Sequence, residues 1–314
     1  TISTGSTLLD LAISGGRKKG GGIPAGILVE IFGPAGSGKT VLLCEIAGGI
    51  KRGGGSTRFN DPEARLNKQF AKLFDLDVDE IEYSQPNTIP EVFLPVRSWN
   101  PEGDAIHGIF TDSLAALSTN LEMDKDEGDK MGMRRAKEFS EELRKTCRIL
   151  AQKNFLMVAS NQLRQDVDPL SFTKYTSPGG LAIGFYSSLR LRLAIIQKIV
   201  IKKTVGGKEV KRVVGIRSTV EVFKSSVWSP YRTAPITIYF DYGIDDIRQN
   251  LQFIKTYTKN EIYMIGDKNL DKSMDVSIAI IEKDNLEKKL KEEVIDLWEF
   301  IESKFEINRK PKVR

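Results

Sequence analysis

The chain has 314 residues, 40% apolar and 28% charged, with a formal net charge of +5, which is room for one large domain or for one with a small appendage. No run of about eighteen apolar residues argues for a membrane span, and the start, "TISTGSTLLD", lacks the basic and long apolar segments of a secretory signal. Two cysteines, Cys44 and Cys147, are too few for a disulfide framework, and the single histidine, His107, excludes a histidine-rich metal site; the composition suits a reducing, cytoplasmic setting, and its mild basicity permits a nucleic-acid partner without requiring one.

Residues 27–32, "ILVEIF", read as a short buried strand. "GPAGSGKT" follows, then "VLLCEIAGGI" with helical spacing around Cys44. "RFNDPEARLNKQFAKLF" reads as a short strand giving way to a helix, and "IEYSQP" as a strand end. "HGIFTDSLAAL" is an apolar strand ending at Asp112. Residues 134–152 place Ala136, Phe139, Leu143, Cys147, Ile149 and Leu150 near helical period, and "NFLMVAS" is the next strand. Both cysteines are therefore expected to be buried free thiols. Strands alternating with helices predict a parallel sheet covered on both faces.

From residue 185 the pattern changes. "SSLRLRLAIIQKIVIKK", "EVKRVVGIRSTVEVFKS" and "APITIYFDYG" read as consecutive strands, with Gly206-Gly207 as a hairpin turn. The sheet should gain antiparallel strands here. "IDDIRQNLQFIKTY" reads as a helix. A composition shift near residue 258 and the Lys/Glu-rich helical stretch 274–304 mark a small C-terminal domain. The basic end, "NRKPKVR", is expected to fray.

Gly33, Pro34, Ala35, Gly36, Ser37, Gly38, Lys39 and Thr40 fit G-x-x-x-x-G-K-T between a strand and a helix, the context that motif needs. Backbone N–H groups there wrap phosphate oxygens, Lys39 reaches the terminal phosphates and the Thr40 hydroxyl binds Mg²⁺. Asp112, at a strand end, can hold the same ion through water. Glu63, in "FNDPEARL", can orient an attacking water, or can be a surface acid favoured by a helix start; its position leaves both open. Asn161 and Gln162 end the strand before a loop of about twenty residues with no clear period. At a sheet's carboxyl edge such amides can touch a γ-phosphate, so the order of that loop would depend on nucleotide. A lid or an inserted segment are the alternatives. "NLEMDKDEGDKMGMRRAK" carries Met131, Gly132 and Met133 beside Arg134 and Arg135. Arginines bind phosphates and methionines can wedge between bases, but composition alone favours a solvated loop opening a helix.

The ordered set "ISTGSTLLD", "GPAGSGKT", "DPEARL", "SQP", "TDSLAAL", "GDKMGM", "SNQLRQ", "PGGLAIGFYSSLRLRL" and "YGID" resembles the bacterial RecA recombinase family over nearly the whole chain. "IIEKDNLEKKLKEEV" is similar to that family's terminal helices. The resemblance implies a RecA-like α/β ATPase core over residues 1–255, with a mostly parallel sheet plus antiparallel strands, and a small α/β C-terminal domain over 256–314. It implies a DNA-dependent ATPase that uses ATP and Mg²⁺, forms a helical filament on single-stranded DNA, and pairs it with a homologous duplex to exchange strands.

By the same resemblance, Lys39 and Thr40 take the phosphate-loop roles and Glu63 becomes the water-activating carboxylate. Asp112 is the magnesium-side aspartate and Gln162 the γ-phosphate sensor. Asn67 and Phe70 fall where the family, usually with Asp and Tyr, contacts adenine. Residues about 119–133 match a first DNA-binding loop, with Met131, Gly132, Met133, Arg134 and Arg135 at its end. Residues 163–180 match a second, with Arg164, Phe172, Lys174, Gly179 and Gly180. Phe185 matches a subunit-interface position.

There are departures. Of two family lysines that reach the neighbouring subunit's ATP, Lys224 is kept and Ser226 replaces the second. The segment before "TISTGS" that docks on the next subunit and the acidic C-terminal tail are not in this sequence. A hexameric DNA motor of the same fold, or an ATP-binding filament scaffold with little hydrolysis, are the competing readings. The first lacks support from the two loop segments.

Overall fold

The structure is a computed structural model that describes residues 1–16, 21–119, 131–162, 164–165, 175–176, 181–307, 309–310 and 312. Side chains of 131–133, 164–165, 175–176 and 181 lie outside the description.

The frame is a nine-stranded sheet among the described residues. In chain order its strands are β1 (Leu28–Gly33), β2 (Thr57–Asn60), β3 (Glu82–Ser84), β4 (Gly108–Thr111), β5 (Leu156–Gln162), β8 (Leu189–Val205), β9 (Lys208–Ser225), β10 (Thr233–Tyr239) and β11 (Gly243–Ile244). Their order across the sheet is β11-β10-β9-β8-β1-β5-β4-β2-β3. β8, β1, β5, β4, β2 and β3 run parallel; β9, β10 and β11 add antiparallel pairings at one end. This is the expected mixed sheet. The two short strands β6 (Arg164–Gln165) and β7 (Tyr175–Thr176) pair antiparallel, closing the neck of the loop after Gln162.

The central strands are apolar at nearly every position because both faces are covered. Alternate residues go to opposite cores, as a pleat requires. Val29, Ile31, Phe110, Leu156 and Val158 join one core, against α1 (Thr7–Ser14) and α2 (Lys39–Arg52). Leu28, Ile109, Met157 and Ala159 join the other, against α4 (Ile89–Ser98) and α5 (Met131–Lys153). α3 (Lys68–Lys72) is a single short helix after β2, and α6 (Leu181–Tyr186) leads into β8.

Three helices were not expected: α6, and two longer ones, α1 and α4. α1 is buried along its whole length, so it lacks an amphipathic period; its N-cap Ser6 accepts from the N–H of Leu9. α4 contains Pro90 near its start and Pro95 inside, which mask it in the sequence. Glu91 caps the start of α4, accepting from the N–H groups of Asn87 and Thr88. "GGGSTRFN", a poor strand by composition, still forms β2. Asn60 knits it to its neighbours, donating to the Phe110 carbonyl and Thr111 and accepting from Ser84.

Cys44 is buried as expected; Cys147 is a correction, being only half-buried, on α5 beside the carbonyl of Tyr186. His107 is structural: its Nδ1 accepts from the N–H of Ser56. Gly206 and Gly207 have φ of 58° and 78°, the left-handed pair that a two-residue hairpin needs.

After α7 (Asp246–Thr258) come a small hairpin of β12 (Met264–Ile265) and β13 (Lys268–Asn269), then α8 (Met274–Lys283) and α9 (Glu287–Ser303). α9 packs back on α7 and α1. Its Trp298 meets Trp228 at 5.7 Å, and its Glu302 pairs with Arg232 at 2.6 Å.

Candidate functional site

Residues Gly33 to Thr40 leave β1 at the sheet's carboxyl edge and turn into α2. Gly38 has φ +97°, and a Cβ there would lie 2.4 Å from Ile238 Cδ1, so only glycine fits. Ser37 Oγ donates to the Pro34 carbonyl, and Ser218 Oγ on β9 donates to the Ser37 carbonyl. The loop is thus pinned from inside and from the antiparallel part of the sheet. Lys39 Nζ folds back onto the carbonyls of Gly33 (3.0 Å) and Pro34 (2.8 Å). Burial pulls this ammonium below its ordinary pKa, while the carboxylates of Asp112 and Glu63 act the other way.

Thr40 Oγ1 donates to Asp112 Oδ2 at 2.6 Å, and Ser160 Oγ donates to Asp112 Oδ1. Burial raises the Asp112 carboxyl above the usual range; the two hydroxyls and Lys39 partly offset this, and Glu63 adds to it. Among the described residues no group of three or more His, Cys, Asp or Glu side chains could hold a metal. One hydroxyl and one carboxylate suit an ion that takes its other ligands from water and phosphate, the habit of magnesium. The donor set therefore fits Mg²⁺ bound together with a nucleotide.

Glu63 sits on the loop after β2. Asp61 fixes that loop by accepting from the N–H of Leu66 and the hydroxyl of Tyr83, both at 2.8 Å. The Glu63 carboxylate accepts from Ser113 Oγ (2.7 Å), pairs with Arg65 (2.8 Å) and lies 3.4 Å from Gln162 Nε2. Gln162, at the end of β5, is in register with Gly33 at the end of β1.

These groups share one cavity of about 720 Å³. Asn67 and Phe70 line it too. Asn67 caps α3, its side chain accepting from the N–H groups of Gln69 and Phe70, and Phe70 packs on Phe74 at 5.1 Å. Sequence reasoning missed Ser113, Ser160, Leu66 and Leu73. It also missed Phe240 and Asp241, which reach the cavity from the turn between β10 and β11. Gly243, at φ +98°, was the available signal that this turn is tightly built.

Beneath the edge lies a buried polar chain. Glu30, fully buried in β1, accepts from Arg190 Nε (2.5 Å) and from Asn161 Nδ2 (3.0 Å). Asn161 Oδ1 accepts from the N–H of Gln162. The Arg190 guanidinium stacks over Phe32 at 4.6 Å and Phe223 at 5.3 Å.

Lys224, opposite Arg190 in the β8–β9 pairing, lies outside the cavity. Its Nζ donates to the carbonyls of Gly184 (2.9 Å) and Phe185 (2.8 Å) at the end of α6. Burial, with Arg190 nearby, lowers its pKa. Phe185 is 75% exposed beside it, and Ser226 is exposed.

Of the expected DNA contacts, Arg134 is exposed at the start of α5. Arg135 departs from expectation. It is half-buried and donates to the carbonyls of Ala115 (2.7 Å) and Leu114 (3.4 Å), bracing the turn after Asp112. Met131, Gly132 and Met133 begin α5, with side chains outside the description. Arg164 lies in β6 under the same limit. Phe172, Lys174, Gly179 and Gly180 lie outside the described residues, as do residues 120–130 of the expected first loop.

A family model, the RecA N-terminal domain, matches residues 1–245. The chain belongs to the RecA family. Similar proteins include Protein RecA of Borrelia hermsii (strain HS1 / DAH), 32% identical over 305 residues, covering 94% of this chain and 82% of the relative. Protein RecA of Thermus aquaticus is 36% identical over 249 residues, covering 78% and 68%. The crystal structure of the RadB recombinase matches with a TM-score of 0.54 at 18% identity, over 78% of this chain and 98% of that one, a likeness of fold. Among the described residues no helix is long and apolar enough to cross a membrane.

Proposed function

We propose that the protein is an ATP-dependent recombinase that assembles on single-stranded DNA, pairs it with a homologous duplex and hydrolyses ATP in a DNA-stimulated manner. The observation that carries this reading is the meeting of Lys39, Thr40–Asp112 and Glu63 with Gln162, at the neck of the segment expected to hold DNA.

ATP enters the cavity with its phosphates on the N–H groups of the Gly33–Thr40 loop and its base toward Asn67 and Phe70. Lys39 exchanges two carbonyls for phosphate oxygens, which restores the charge partner that burial demands. Thr40 and, through water, Asp112 would hold Mg²⁺, which would supply neutralising charge for the phosphates. Glu63 orients a water, accepts its proton as the oxygen attacks the γ-phosphorus, and the bond to the β-phosphate breaks, leaving ADP and phosphate. Gln162 moves between Glu63 and the γ-phosphate, so residues 163–180 feel the nucleotide state.

The domain division at 255/256 and the contacts of Met131, Gly132, Met133, Arg134, Arg164, Phe172, Lys174, Gly179 and Gly180 with DNA belong to the same proposal. A second reading, an ATP-binding filament that hydrolyses slowly, draws on Lys224 being tied to α6 and on Ser226 standing at the second lysine's place. Joint-molecule formation separates the alternatives. A labelled single strand with homologous duplex, ATP and Mg²⁺ should give paired product that a heterologous duplex does not. Unwinding without need for homology would favour a ring motor and overturn the proposal.

A further inference from the structure

β8 and β9 are 17 and 18 residues long, far beyond what the sheet supports. β1 covers β8 only as far as Arg192, and β10 covers β9 only from Gly215 to Glu221. Past the Ile199–Gly215 pair, six more pairs run from Val200–Val213 to Val205–Lys208, and among the described residues no strand flanks them. At about 3.3 Å per residue this ribbon reaches roughly 20 Å. Because β8 is parallel to β1, it projects from the carboxyl edge that carries Lys39 and Gln162.

The ribbon's charge is unlike that of the rest of the chain. Residues 198–213 hold Lys198, Lys202, Lys203, Lys208, Lys211 and Arg212 against Glu209 alone, a net +5. The whole chain is also +5, so the remainder is neutral. Glu209 is shared between Lys211 (3.1 Å) and Lys202 (3.9 Å). Lys202 and Lys211 stand directly opposite each other, a like-charge pairing that the single Glu209 offsets only in part. Directly opposed residues share a face, so one face carries Lys202 and Lys211 with Glu209, and the other carries Lys203, Lys208 and Arg212 with no acid. Val200, Ile201, Val205 and Val213 are exposed among them.

We propose that this arm is a duplex-DNA-binding element that lies in a groove with phosphates on both sides. Cations on one face would suit a flat anionic surface; cations on both faces suit a slot with two anionic walls. A two-stranded ribbon fits the major groove of B-DNA, and exposed aliphatic groups can meet thymine methyls there. The proposal goes beyond the recombinase reading in giving the duplex its own site, and rests on that reading only for the partner's identity. Lysines also guard free strand edges against pairing with other chains, which is the alternative to be tested.

The test is fluorescence anisotropy of a 30-base-pair duplex over a salt series, with the full chain and a variant carrying Lys203→Gln, Lys208→Gln, Lys211→Gln and Arg212→Gln. Loss of four phosphate contacts should lower the slope of log affinity against log salt by about 3–4, with about tenfold or greater loss of affinity at low salt. Glu209→Gln should bind the duplex more tightly. Single-strand-stimulated ATP turnover should be unchanged in both variants, which tests the recombinase reading separately. Unchanged duplex affinity and slope would overturn the proposal; if the variant then also aggregated or changed its oligomeric state, the lysines would be edge guards.

Discussion

Gln162 Nε2 stands 3.4 Å from Glu63 Oε1, joining the end of β5 to the loop after β2. Glu63 is therefore held from three sides, by Gln162, Ser113 and Arg65. In the proposed mechanism a γ-phosphate entering the cavity would compete for Gln162 and free the carboxylate for water. The same exchange would move the residue that precedes the 163–180 segment.

Glu63→Gln keeps the shape and the Ser113 contact but cannot accept a proton. ATP binding should persist while single-turnover hydrolysis falls on the order of 10²-fold or more. Unchanged turnover would remove Glu63 from the role.

Lys39→Ala removes the ammonium folded into the phosphate loop. Nucleotide binding, measured by calorimetry, should be lost. Tight ATP binding by this variant would contradict the phosphate-loop assignment.

The buried Glu30–Arg190 pair predicts asymmetric mutant energetics. Arg190→Met leaves the Glu30 carboxylate buried with Asn161 as its remaining partner. Urea denaturation should show a loss of about 3–5 kcal/mol. Adding Glu30→Gln should restore much of it, because the uncompensated charge disappears. Equal losses in the single and double variants would show that the charge is not what matters.

Burial raises the Asp10 carboxyl from 3.8 to about 6, even though Ser3, the Thr4 N–H and the Thr4 hydroxyl all favour its charged form. Between these values the folded state binds more protons than the unfolded chain. Asp10 therefore favours folding most at low pH and loses that contribution as pH rises through about 6, an effect of about 3 kcal/mol. Asp10→Asn retains an acceptor for Thr4. Relative to the wild type, its stability should improve from pH 4 to pH 7; a constant difference would contradict the raised carboxyl.

Much of the core was readable because buried parallel strands are nearly unbroken apolar runs, and because "GPAGSGKT" carries its chemistry in consecutive residues. α4 was hidden by Pro90 and Pro95. α1 was hidden by being buried all round. The cavity wall at Phe240 and Asp241 comes from a turn about two hundred residues beyond the phosphate loop, and no local pattern records that meeting. The partners that let Glu30 be buried, Arg190 and Asn161, lie on other strands and are not visible in "ILVEIF". Arg135 read as a phosphate contact but is engaged by the turn after Asp112.

The central claim is that nucleotide and single-stranded DNA communicate through Glu63 and Gln162. Steady-state ATP hydrolysis at low salt, with and without a single-stranded oligonucleotide, tests it most directly, since phosphate contacts weaken steeply as salt rises. The account predicts strong stimulation by the single strand, abolished by Gln162→Ala with ATP binding intact. Turnover indifferent to DNA, in a chain that still binds ATP, would contradict it.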